Sequence, residues 1–136
     1  MLDIADRMAI TETLNRYAWA LDEARYDLLQ QIFTEDAEFT VAVDGGSFFG
    51  PFTGLDTIVA FFKSAKSAQT DKRRHVVSCA LIDESGPAVK SGSYLTVFSI
   101  TDKASIATTG AYDDEWRKVG GNWRIRKRHL RLDSMF

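Results

Sequence analysis

Apolar positions in the first part of the chain recur with a helical period. Ile10, Leu14, Tyr17, Ala18 and Leu21 fall at i, i+4, i+7, i+8 and i+11, with no Gly or Pro between them, which predicts a helix over 4–22. Asp27 and Gln30 form a D-x-x-Q start signal for a second helix carrying Leu28, Leu29, Ile32 and Phe33. After Asp36 the period shortens to two. Phe39, Val41 and Val43 alternate within a strand predicted over 38–43, which ends at the Asp44-Gly45-Gly46 turn. A Gly/Pro/Phe-rich stretch covers 47–54, and Leu55, Ile58, Val59 and Phe62 predict a third, short helix. Residues 64–72 are polar and read as a mobile loop.

The remainder reads as a meander of long strands over 74–83, 88–100, 104–118 and 123–132. The turns between them carry Gly86-Pro87, Asp102 and Gly120-Gly121-Asn122. Helices first and strands after imply an α+β domain, with helices on one face of an antiparallel sheet. Long strands twist and can curl around the helices, which makes a cone with an interior, a common kind of ligand site.

Composition narrows the classes. A chain of 136 residues is expected to form one domain, 1–136, with a single core. Its net charge of −2 gives no electrostatic footprint for nucleic acid, and no apolar run is long enough for a membrane span. The N-terminus does not read as a secretory signal, and Cys79 is the single cysteine, so a cytoplasmic protein without disulfides is expected. Phosphate loops, nucleophile elbows and metal-ligand spacings are absent from the sequence, so neither metal nor cofactor is expected.

Two residues stand out against this background. Asp22 lies at the edge of the apolar helix stripe, at a C-terminal helix end where the dipole disfavours negative charge, so it calls for a partner. His75 heads a strand and, by alternation, shares a face with Val77, Cys79 and Leu81. Each has an ordinary structural reading by itself, as a solvated helix end and a satisfied core histidine. Together they would form a general base, an imidazole whose second nitrogen is held by a carboxylate. Tyr17 reads as a core tyrosine or a pocket hydroxyl. In the last strand, Arg124, Arg126 and Arg128 alternate onto one face; they are either solvated or, near the far end, able to reach the cavity.

In order along the chain, Tyr17-Ala18-Trp19-Ala20-Leu21-Asp22, Phe33–Phe39, Arg74-His75-Val76-Val77, Gly110–Asp113 and Gly121–Ile125 resemble SnoaL-like domains of the nuclear-transport-factor-2-like superfamily. The resemblance implies the cystatin-like α+β barrel: a cone-shaped curved antiparallel sheet with three helices from the N-terminal half, enclosing a pocket. It also implies a cofactor-independent lyase or isomerase acting on a small, mostly apolar molecule, cyclic ones included. Hexachlorocyclohexane dehydrochlorinase and scytalone dehydratase are lyases of this superfamily built on an Asp–His pair. Asp22 and His75 match that pair, Tyr17 a polar pocket position, Arg128 a last-strand arginine, and Tyr112 and Phe39 pocket lining. The second pocket histidine of scytalone dehydratase has no match here. Homo-oligomers, dimers or trimers, are implied as well. The ending Trp123–Arg128 with Leu130–Asp133 also resembles the small subunit of ring-hydroxylating dioxygenases. That resemblance implies instead a non-catalytic subunit partnered by a large oxygenase chain, or a small-molecule-binding module.

Overall fold

A computed structural model describes residues 1–135. Helix α1 runs Ile4–Asp22, a 3₁₀ turn covers Tyr26–Leu28, and the short helix α2 covers Leu29–Ile32. Strands β1 (Phe33–Val43) and β2 (Phe48–Thr53) follow, then α3 (Leu55–Ser67). Four strands close the chain: β3 (Lys72–Asp83), β4 (Val89–Ile100), β5 (Ala104–Val119) and β6 (Asn122–Leu132). All six of these strands, β1 to β6, form one curved, unclosed sheet in the order β2-β1-β6-β5-β4-β3. Among the described residues, three helices and six strands make an α+β fold, as the sequence implies.

Helix α1 starts at a capping box, in which Asp3 accepts from the Asp6 amide and Asp6 accepts from the Asp3 amide. Its stripe is buried at Ile10, Leu14, Tyr17 and Ala18, while Leu21 is half-buried. The helix packs on β3 and β6, and α3 packs on β1. Between them lies an aromatic core, where the Tyr17 ring meets Phe33, Phe62 and Tyr112 edge-on at 5.7–6.0 Å.

Several expectations are corrected. The second helix shrinks to one turn, because the Asp27 carboxylate is taken by Arg25 in two 2.9 Å hydrogen bonds and caps nothing. Phe33 belongs to β1, which starts five residues before the predicted strand. The Gly/Pro/Phe stretch is strand β2, and α3 runs on through the polar segment to Ser67, leaving 68–71 as the loop. The sheet is antiparallel except that β1 and β6 pair in parallel.

Two strands break their alternation. In β3, Cys79 and Ala80 together face one residue of β4, and Cys79 has a left-handed φ of 55°. The bulge turns Cys79 and Leu81 out to solvent and puts Ile82 against the core, so the expected face His75–Val77–Cys79–Leu81 ends at Val77. In β6, Arg126 has no opposite residue on β5, since Glu115 pairs with Lys127 and Trp116 with Ile125. Before this bulge Ile125 faces inward; after it Arg128, Leu130 and Leu132 do. Arg128 therefore does not share a face with Arg124.

Candidate active site

A pocket of about 380 Å³ lies between the helices and the concave side of the sheet, within the size range of small-molecule sites. Its wall is largely apolar and aromatic, with Phe39, Phe61, Phe62, Leu95 and Leu130 among the lining residues. Tyr17 and Tyr112 also line it, and so does His75. The strand pairing explains the last of these: His75 stands opposite fully buried Val97, on the inward face of the sheet.

Asp22 stands behind His75. One of its carboxylate oxygens meets His75 Nδ1 at 2.6 Å, and the His75 backbone amide donates to the same carboxylate at 2.9 and 3.2 Å. The carboxylate accepts at both oxygens, which puts a ring proton on Nδ1, so that the neutral ring carries its lone pair on Nε2. Among the described residues Nε2 has no hydrogen-bond partner. The two side chains are 8% and 15% exposed, so the pair is shielded without being sealed off.

Arg128 is placed differently from the other candidates. Its side chain has no exposed surface, and Nε and Nη2 donate to the two Asp114 oxygens at 2.8 and 2.9 Å. The guanidinium lies against the rings of Tyr112 and Tyr17, 3.7 and 4.3 Å from their centres. Among the described residues it lines no part of the pocket; it backs the two tyrosines that do. Burial pushes the Tyr17 hydroxyl above its ordinary value, against a smaller opposing effect of Arg128. Burial, reinforced by Tyr17, pushes Tyr112 well above. Both hydroxyls therefore remain protonated and able to donate.

The structure thus brings together Asp22, His75, Tyr17, Tyr112 and Phe39 around one pocket and sets Arg128 behind it. Asp114, which holds Arg128, escaped sequence reasoning, as did Lys66, Gln69 and Arg73 at the pocket rim. A signal for the rim did exist. Ile58, Phe62, Ala65, Lys66 and Gln69 repeat the spacing i, i+4, i+7, i+8, i+11 that marks α1, so the helical face continues into the polar segment. Among the described residues no three metal-ligating side chains converge, and no helix is long and apolar enough to cross a membrane.

A comparison with curated proteins gives no match. Solved structures with the same fold are numerous. An NTF2-like protein with a cystatin-like fold from Novosphingobium aromaticivorans is 21% identical, with a TM-score of 0.77 over 97% of this chain and 91% of that one. A protein assigned as the beta subunit of an aromatic-ring-hydroxylating dioxygenase from the same organism is 20% identical, with a TM-score of 0.78 over 98% and 94%. A protein from Catenulispora acidiphila, solved in complex with S-DNPA, is 22% identical, with a TM-score of 0.79 over 96% and 95%. Residues 3–129 match the family model described as the SnoaL-like domain, and the chain belongs to that family.

Proposed function

We propose that the pocket is the active site of a cofactor-independent lyase or isomerase acting on a small, mostly apolar molecule, cyclic ones included. The observation that carries this reading is the 2.6 Å contact between Asp22 and His75 Nδ1, with Nε2 left free on a residue that lines the pocket. His75 Nε2 takes a proton from a substrate carbon. Asp22 keeps the ring oriented and stabilises the imidazolium that forms. The electron pair left on carbon either expels a leaving group from the neighbouring atom, which is elimination, or moves through a conjugated carbonyl and is reprotonated elsewhere, which is isomerisation. Tyr17 and Tyr112 are suited to donate to the developing oxyanion. Arg128 acts through those two rings, as a positioning residue.

The test is solvent deuterium uptake by a panel of small cyclic carbon acids, followed by mass spectrometry. His75→Ala should lower the rate by about 10²–10⁴-fold, the usual contribution of one general base, with the far-UV spectrum unchanged. A folded His75→Ala protein that keeps full turnover overturns the mechanism.

The likeness to a dioxygenase beta subunit favours a second reading, a non-catalytic small subunit or a small-molecule-binding module. It predicts copurification with a larger iron–sulfur oxygenase chain, or a ligand bound and left unchanged. Turnover by the isolated chain excludes it.

A further inference from the structure

The pocket wall is apolar, but its charge is one-sided. Among the described lining residues, the groups that carry charge are Lys66, Arg73 and, when protonated, His75; none is acidic. Two of the polar rim residues are already engaged. Arg73 Nε donates to Asp71 at 3.0 Å, and Gln69 Nε2 donates to the Asp71 carbonyl at 2.8 Å, so both hold the 68–71 loop. Ser99 donates to the same Asp71 carboxylate.

Lys66 is different. It sits in the last turn of α3, and its ammonium reaches the Asp22 carbonyl at 3.4 Å, a long contact to a neutral acceptor. Among the described residues no carboxylate lies within ion-pairing distance of it. Asp22 therefore joins two functions: its carbonyl faces the ammonium, and its carboxylate holds His75.

We infer that Lys66 is the anion contact of this site and that its ligand is an apolar, ring-bearing molecule with one carboxylate. The inference rests on the proposed pocket and names the class of substrate it takes. The apolar body lies against Phe39, Phe61 and Phe62. The carboxylate replaces the long carbonyl contact with a charge-assisted bond to the Lys66 ammonium, and this anchors the molecule beside His75 Nε2. An ammonium next to an apolar wall is less screened than one in open water, so the contact discriminates charged from neutral ligands.

The probes are 1-naphthaleneacetate and its neutral isostere 1-naphthaleneacetamide, titrated into the intact protein by calorimetry. The acid should bind about tenfold or more tightly than the amide, the usual effect of a hydrogen bond to a charged group. Lys66→Gln should abolish that preference, and Lys66→Arg should keep it. Equal affinity of the wild-type protein for both compounds, or a preference that survives Lys66→Gln, overturns the lysine's role and leaves the apolar pocket standing. Binding of neither compound overturns the inference together with the pocket reading beneath it.

Discussion

A guanidinium with no exposed surface needs a replacement for the water it has lost. At Arg128 that replacement is two bonds donated to Asp114 and two tyrosine faces, while Nη1 has no hydrogen-bond partner among the described residues. The dependence should be severe when broken from one side. Asp114→Asn leaves the buried cation without its counter-charge and is expected to lose about 3–5 kcal/mol in urea unfolding. Replacing both partners, Asp114→Leu with Arg128→Met, should recover most of that loss, because the desolvated charge disappears too. A double variant no more stable than Asp114→Asn contradicts this account. The neighbouring dyad shows what single residues reveal before folding. Asp22 and His75 are legible one at a time, since each is a polar group on the margin of an apolar face. Their meeting is not, because 53 residues separate them and the approach depends on how α1 lies across β3. Asp114 was invisible for a related reason, as its partner faces inward through a bulge that no composition rule signals.

Among the elements, helix α1, the turns and the four long strands follow from periodicity and turn residues, and they form close to where expected. The failures cluster where one extra residue changes the phase of a strand, at Cys79 and Ala80 in β3 and at Arg126 in β6. Period-two reasoning propagates such a slip to every later residue, which is why Leu81 changed sides and Arg128 parted from the face of Arg124. The docking of α1 on the far end of the sheet gives a pH signature. Asp6 accepts from Trp123 Nε1 at 2.9 Å, from the Asp3 amide at 3.1 Å and from Lys118 Nζ at 3.4 Å. These partners, Trp123 foremost, lower its carboxyl from 3.8 to about 2. A group with a depressed folded-state value stabilises the fold above its ordinary value, and the gain vanishes as pH falls through the folded one. Asp6→Asn should therefore melt at a lower temperature than wild type at neutral pH. The gap should close between pH 3.8 and about 2. A gap independent of pH would mean that the carboxylate charge does not tie the helix down.

In the whole molecule, the succession of helices and then strands foretold the layering, but not the parallel pairing of β1 with β6, which alternation cannot encode. The outer face of the sheet is left with exposed Val76, Tyr94 and Ile106, on the paired strands β3, β4 and β5. We expect copies of the chain to associate, as dimers or trimers, through this face. Tyr94→Glu combined with Ile106→Glu should then shift the mass seen by light scattering to that of one chain, with the pocket intact; a wild-type protein that is already one chain refutes it. The sheet is also unclosed, and β3 forms one of its edges. An edge strand offers unpaired amides to any passing strand. Asp22 occupies one of them, the His75 amide, with the same carboxylate that orients the ring. We expect this contact to shield the edge at His75 from strand addition, beside its hold on the imidazole. The two roles separate in one comparison. His75→Ala keeps its amide covered and should stay dispersed on long incubation. Asp22→Ala should uncover the edge and accumulate thioflavin-positive aggregates.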